Sequence, residues 1–197
     1  GKATSNNEEE IRQEVAKVYS QYAKEQEPQC KCKSKKYAIS LGYSEEDISD
    51  ENIIVGNLSC GNPVGLADLK EGETVMDLGC GKGFDCRLAS KRVGPKGNVV
   101  GVDMTKEMID KAVEVTKKEK YPNVQYELSR IEDLENLEKF KEKFDVVISN
   151  CVFNSLFVSS SLSCVYLLLD LFDLLTKDNF NNLSFPKCLF CDFAFFI

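Results

Sequence analysis

A strand that hands over to a helix through three closely spaced glycines leaves few folds open. Residues 74–93 read that way: Thr-Val-Met-Asp-Leu, then Gly79-Cys80-Gly81-Lys82-Gly83, then an amphipathic run from Phe84. Glycines at such a turn permit left-handed backbone and let a ligand approach the main chain closely. The alternation continues beyond it. Residues 74–78 predict a buried strand, 84–93 a helix, Gly94-Pro95-Lys96-Gly97 a turn and 98–102 the next strand. Thr105 then caps a helix to about residue 120 with Met108, Ile109, Ala112, Val113 and Val115 on its apolar side, and Tyr121-Pro122-Asn123 stops it. A third strand is expected at 124–128, a charged helical stretch at 133–143, and a fourth strand at 144–149 apolar enough to be covered on both faces. Strands alternating with helices in this way imply an α/β fold with a doubly wound, mostly parallel sheet.

The flanks differ from this core. Residues 8–25 carry Ile11, Val15, Val18, Tyr19 and Tyr22 at helical spacing behind the acidic turn Glu8-Glu9-Glu10, which predicts an amphipathic helix packed on the core as a lid. Pro28 ends it, and a short basic loop with Cys30 and Cys32 follows. Ser44 with Asp47 three residues on predicts a capped turn near 45–50, and Asn62-Pro63 the start of a short helix through Leu69. From Ser155 onward Leu, Phe and Ser dominate and Lys, Arg and Glu nearly vanish. The stretch 156–175 is long enough to raise the question of a membrane span, but Asp170 and Asp173 would each cost about 2.5–3.5 kcal/mol near its centre, so a buried helix is expected instead. Two accounts of this tail stay open. Either a helix at 162–175 and a strand at 189–196 complete a smaller sheet, or unrelated sequence stands in place of the natural C-terminal part.

Composition narrows the chemistry. The 197 residues hold 25 Lys+Arg against 32 Asp+Glu, a net charge of −7, so no basic face for nucleic acid is expected and small-molecule partners are favoured. With no histidine in the chain, Ser-His or Cys-His nucleophile pairs, His-ligated metals and an imidazole base are excluded. Nine cysteines is an odd number, and no secretory leader pattern opens the chain, which together indicate free thiols in a reducing, cytoplasmic compartment.

The glycine turn is G-x-G-x-G, and the dinucleotide fingerprint G-x-G-x-x-G fails because Phe84 stands where its third glycine would be. Asp77, an acidic residue on the strand itself, instead suits a cationic ligand such as S-adenosylmethionine. Asp103 closes the second strand about twenty residues beyond the glycines, where a carboxylate can accept two ribose hydroxyls. An ordinary tight turn and a solvated strand end would explain each feature singly; within one βαβ unit the cofactor explains both.

These residues, together with Leu58-Ser59-Cys60-Gly61-Asn62-Pro63, Gly-Tyr-Ser-Glu-Glu at 42–46, Gly-Phe-Asp-Cys at 83–86, Val102-Asp103-Met104-Thr105 and Ile148-Ser149-Asn150-Cys151-Val152-Phe153-Asn154, closely resemble the arsenite methyltransferase family across about 11–154. The resemblance implies a Rossmann-like fold of the class I methyltransferase type, incomplete at the C-terminus, with a cysteine-bearing extension at 1–72, a cofactor core at 73–154 and an atypical apolar tail at 155–197. It implies that Asp77, Gly79, Gly81 and Gly83 line an S-adenosylmethionine pocket, that Asp103 holds ribose, that Met104, Ile131 and Glu132 lie by adenine, and that Asn150 borders the reacting methyl group. Core packing for Ile131 and a solvated helix start for Glu132 are the plain alternatives.

Arsenic(III) is soft, and thiolates are its natural ligands. The resemblance assigns Cys60 and Cys151 to arsenic binding and Cys32, or else Cys30, to a disulfide with the central thiol during turnover, reopened by thioredoxin or glutathione. A buried filler at Cys151 and a loop thiol at Cys60 are the plain alternatives. Cys80 and Cys86 read as packing residues, and Cys188-x-x-Cys191 carries little weight without a second such pair or any histidine. Nothing after Asn154 matches the family, which leaves the third arsenic ligand unassigned. The function expected is methyl transfer to thiol-bound arsenite or its thiol conjugates. A methyltransferase for another small acceptor, and a non-catalytic arsenite-binding protein, are the alternatives.

Overall fold

A computed structural model describes residues 2–24, 36, 38–48, 61–119, 121–136, 138–150 and 188–190. Its elements are α1 (Lys2–Lys24), a one-turn α2 (Pro63–Leu66), β1 (Thr74–Leu78), α3 (Phe84–Val93), β2 (Asn98–Asp103), α4 (Lys106–Glu119), β3 (Val124–Leu128), 3-10 turns at Ile131–Asn136 and Glu138–Phe140, β4 (Val146–Ser149) and β5 (Cys188–Phe190). The strands form one sheet in the order β3-β2-β1-β4-β5. All its pairings are parallel: Leu78 lies beside Val102 and Ser149, and Ser149 beside Phe190. The expected α/β architecture is therefore present, with the reversal of strand order falling between β1 and β4, where ligands bind in open α/β sheets.

Strand alternation sorts the apolar side chains to the two faces. Val75, Val99, Val146 and Ile148 face a cluster with Phe84, Cys86, Leu88, Ala89 and Val93 of α3 and with Tyr43 and Ile48 from the N-terminal part. Met76, Leu78, Val102 and Val147 face Ile131, Leu134, Phe140 and Phe144 on the other side. Both faces of β1 and β4 are thus covered, which is why these strands read as unbroken apolar runs. Ser149 lies within this core, and its hydroxyl donates to the Leu78 carbonyl at 3.0 Å, pinning β4 to β1 at the switch point.

Several boundaries differ from expectation. The first helix begins at Lys2, so Glu8-Glu9-Glu10 sit inside it and not in its first turn. It packs along α4, with Ser20 Oγ donating to Glu107 Oε2 at 2.9 Å and Lys24 pairing with Glu107 at 3.5 Å. The charged stretch expected as an α-helix over 133–143 is two 3-10 turns. Ile131, Leu134 and Phe140 stand at multiples of three, the period at which 3-10 geometry stacks side chains on one face, and all three are buried. The short helix after Asn62 ends at Leu66 and not Leu69, since Asp68 takes the left-handed φ of 46° that stops it. Ser44 and Asp47 form a reciprocal cap: Asp47 N donates to Ser44 Oγ at 3.1 Å and Ser44 N to Asp47 Oδ2 at 3.2 Å. β4 starts at Val146, two residues after Phe144, and β2 extends to Asp103. Of the strand expected at 189–196, Leu189 and Phe190 lie in β5; residues 191–196 and the expected helix at 162–175 lie outside the described residues. Among the described residues no helix is long and apolar enough to cross a membrane.

Candidate functional site

The C-terminal ends of β1, β2 and β4 meet at one edge of the sheet, and the glycine turn folds across it. Gly79 N and Cys80 N both donate to the Val102 carbonyl, at 2.7 and 3.0 Å, and Gly81 N donates to Asp103 Oδ2 at 3.0 Å. The turn from β1 is therefore stitched to the end of β2. Gly83 has φ 74° and forms the N-cap of α3; a Cβ there would fall 2.1 Å from the Tyr126 hydroxyl, so no other residue fits. Gly81 has φ 52° too, yet a Cβ on it would meet nothing within 4 Å. Beside Gly81 the turn is held in a left-handed backbone and left sterically open, which is what a ligand lying against main chain requires. Arg87, 1% exposed, fixes the turn from below, its Nη1 donating to the carbonyls of Lys82 at 2.8 Å and Gly83 at 2.9 Å.

Three carboxylates converge beneath and beside this turn. Asp103 accepts from Thr105 N at 2.8 Å and from Gly81 N at 3.0 Å, one on each oxygen. The Thr105 side chain bonds it as well, and the half-buried carboxylate keeps acceptor capacity for a ribose hydroxyl. Burial raises its pKa, and hydrogen bonds from Thr105 N, Gly81 N and the Thr105 side chain partly offset the rise. Asp77 is 2% exposed and receives the Cys86 thiol at 3.2 Å. Burial pushes its carboxyl well above the ordinary range, and the negative charges of Asp85 and Asp103 push it further. Asp85 is raised to about 6 by burial, against the opposing effects of hydrogen bonds from Asn150 and Tyr43 and the charge of Arg87. Burial is the largest cause of all three shifts, and only Asp77 is raised further by neighbouring charges; desolvated carboxylates grouped in this way gain from a nearby cation.

The predicted residues fall into three sets. Gly79, Gly81, Gly83, Asp77 and Asp103 are brought together at the switch point. Met104 follows Asp103, half-buried, while Ile131 is buried among Leu134, Phe140 and Phe144; Glu132 lies in the first 3-10 turn. Asn150 follows β4, and its Nδ2 donates to the Gly61 carbonyl and to Asp85 Oδ2, both at 3.0 Å. Cys32, Cys60 and Cys151 lie outside the described residues. Burial pushes the Cys80 thiol up to about 11 and raises Cys86 well above its ordinary value, so both stay protonated and serve as packing groups. Among the described residues no three His, Cys, Asp or Glu stand ready to hold a metal ion.

Sequence reasoning gave no role to Tyr43, Asp85, Arg87 or Gly101. A Cβ on Gly101 would lie 2.7 Å from Cys86 Sγ, 2.9 Å from Cys80 Sγ and 2.8 Å from the Tyr126 ring, so this glycine makes room for the thiols behind the turn. A glycine inside an apolar strand was the available signal for it.

Comparisons with known proteins agree with this geometry. Residues 69–186 match the family described as methyltransferase domain. The chain is 48% identical over 116 residues to the arsenite methyltransferase of Halobacterium salinarum, covering 58% of this chain and 29% of that protein. It is 32% identical over 162 residues to the arsenite methyltransferase of Mus musculus, covering 77% of this chain and 42% of that one. An arsenic(III) S-adenosylmethionine methyltransferase from Chlamydomonas reinhardtii superposes with a TM-score of 0.50 at 30% identity, over 73% of this chain and 45% of that chain. The chain thus spans less than half the length of each of these relatives.

Proposed function

The chain belongs to the methyltransferase domain family, with the class I methyltransferase fold, and from that premise we propose that it transfers a methyl group from S-adenosylmethionine to arsenic(III) held by cysteine thiolates. The observation that carries the cofactor half is the open left-handed backbone at Gly81, tied to Asp103 at 3.0 Å and set among three carboxylates with raised pKa values. Those residues fit the group: Asp103 would take the ribose hydroxyls, Gly79 and Gly81 would face the amino-acid portion, and the carboxylates would favour a positive centre. S-adenosylmethionine, when bound, supplies an electrophilic methyl on a sulfonium sulfur. Met104, Ile131 and Glu132 are assigned to the adenine side, and Asn150 to the border of the reacting centre.

The arsenic half of the reading is supported by the names of the relatives and by two places in the sequence. Cys60 directly precedes Gly61, and Cys151 directly follows Asn150, whose side chain bonds the Gly61 carbonyl at 3.0 Å. In this reading the two thiolates displace hydroxide or glutathione from the substrate and leave its lone pair free to attack. The protein contributes chiefly orientation, which for two bound partners supplies a large share of the rate. Methylation formally removes two electrons from arsenic. Cys32 and the central thiol return them by forming a disulfide, which thioredoxin or glutathione, in a reducing cytoplasm, reopens. Residues 1–72 then form a thiol-bearing extension, 73–154 the cofactor core and 155–197 an apolar tail.

Incubation with labelled S-adenosylmethionine, arsenite and a thiol reductant, followed by arsenic speciation, tests this directly. Methylated arsenic from the wild-type chain, lost in Cys60→Ser and Cys151→Ser, is the expected result. Cofactor binding without methylated arsenic under any thiol condition would contradict the assignment of the acceptor.

A further inference from the structure

Around Asp85 four polar groups from four separate segments close a ring. Tyr43 Oη lies 2.8 Å from Asp85 Oδ1 and 2.7 Å from the Gly61 carbonyl. Asn150 Nδ2 lies 3.0 Å from Asp85 Oδ2 and 3.0 Å from the same carbonyl. Tyr43 is 2% exposed and Asp85 5% exposed, and Phe84 packs its ring edge-on to Tyr43 at 5.0 Å, so the Tyr43–Asp85 side of the ring is shut away from solvent, while Gly61 and Asn150 are half-buried.

Four contacts need four protons between their heavy atoms. The amide of Asn150 supplies two and the hydroxyl of Tyr43 one, while the Gly61 carbonyl can only accept. The fourth comes from Asp85 when its carboxyl is protonated; when it is ionised, the single Tyr43 proton is shared between Asp85 and the Gly61 carbonyl. We infer that Asp85 is a positioning residue whose ring is complete on the protonated carboxyl: its Oδ1 then donates to Tyr43 Oη, Tyr43 donates to the Gly61 carbonyl, and the ring ties Gly61 to Asn150. The consequence for methyl transfer rests on the reading of Cys60 and Cys151 as the arsenic-binding thiols, since these are the neighbours of the two residues so tied.

Burial holds the proton on Asp85 into mildly acidic solution. Asp77 on β1 carries like charge toward this group, while Arg87 on α3, Tyr43 from the N-terminal part and Asn150 at the end of β4 favour its ionised form; burial remains the largest influence, and the pKa stands at about 6, so the proton is held below that and lost above it. An unfolded aspartate loses its proton near 3.8 and the folded one near 6, so the folded protein binds the extra proton in that window. The contribution of Asp85 to stability therefore falls as pH rises from about 4 to about 6 and is level above that.

The test uses the full chain with Asp85→Asn, Asp85→Ala and Tyr43→Phe, each first checked for S-adenosylhomocysteine binding. Asparagine reproduces a protonated aspartate, with NH2 facing Tyr43 and the carbonyl facing Asn150. Asp85→Asn is expected to melt about 2–8 °C above wild type at pH 7.5, with the difference closing toward pH 4. It should hold a trivalent phenylarsenical, which bridges two thiols, within about threefold of wild type, whereas Asp85→Ala and Tyr43→Phe weaken that binding about tenfold. Asp85→Asn melting and binding as poorly as Asp85→Ala would overturn the role of the proton; Asp85→Ala matching wild type in both would overturn the positioning role. Tyr43→Phe, which removes a single oxygen, decides the matter if Asp85→Ala does not fold. If Cys60→Ser and Cys151→Ser bind the arsenical like wild type, the arsenic reading fails on its own, and the melting comparison alone decides the ring.

Discussion

Asp103 and Asp85 flank the same turn and do opposite things. Asp103 is half-buried and bonded to main-chain N–H groups of Gly81 and Thr105, near neighbours of the strand ends that it closes. Asp85 is buried and bonded to side chains that arrive from 42 and 65 residues away along the chain. The first is preset by the local fold and keeps lone pairs for a ligand. The second is locked by tertiary structure and buried away from any ligand that lies on the turn. Asp77 lies between them and feels both charges. The contrast teaches that a carboxylate at a switch point is a binding group when local backbone holds it at the open edge, and a brace when side chains from distant segments meet on it in the interior.

The comparison can be broken at the turn both carboxylates depend on. Gly83→Ala should cost about 3–5 kcal/mol in denaturant unfolding, from the left-handed φ of 74° and the collision with Tyr126, whose hydroxyl is held by Thr116 at 2.8 Å. Tyr126→Phe added to that variant should restore part of the loss. Asp103→Ala should lower S-adenosylhomocysteine affinity by about a hundredfold in calorimetry, the scale of two charge-assisted hydrogen bonds, while leaving phenylarsenical binding alone. At the opposite end of the sheet, Asn123 bonds the carbonyls of Gly94 and Gly97 at 3.0 and 3.2 Å and accepts from Ser90 at 2.6 Å. Asn123→Ala should therefore cost about 1–2 kcal/mol of stability with no change in either ligand's affinity, since nothing at that end faces the site. The smallest effect sharpens the charge argument. A cation lowers the raised pKa values of Asp77 and Asp103, so its binding releases protons and weakens as pH falls from 7 toward 4. S-adenosylmethionine should lose about three- to tenfold more affinity over that range than S-adenosylhomocysteine, which lacks the sulfonium charge.

Much of the site was legible because its signals are local. The strand over 74–78, the helix over 84–93 and the strand over 124–128 match β1, α3 and β3 residue for residue, since glycine turns and Pro122 punctuate them. Gly83 and Asp103 were visible for the same reason: each is bound to groups within its own βαβ unit. The 3-10 turns were misread as a helix because a charged surface hides a three-residue apolar period as easily as a period of 3.6. Asp85 stood in plain sight in Gly-Phe-Asp-Cys without a role, since its partners Tyr43 and Asn150 belong to other segments and no local spacing announces them. Arg87 reads as an ordinary helix cation until its guanidinium is seen folded back onto the carbonyls of Lys82 and Gly83.

The division of labour between the two carboxylates is tested most directly by S-adenosylhomocysteine affinity, measured by calorimetry on wild type, Asp103→Ala and Tyr43→Phe. The account predicts that binding collapses in Asp103→Ala and stays within about twofold of wild type in Tyr43→Phe. Equal losses in both variants, or undiminished binding in Asp103→Ala, would contradict it.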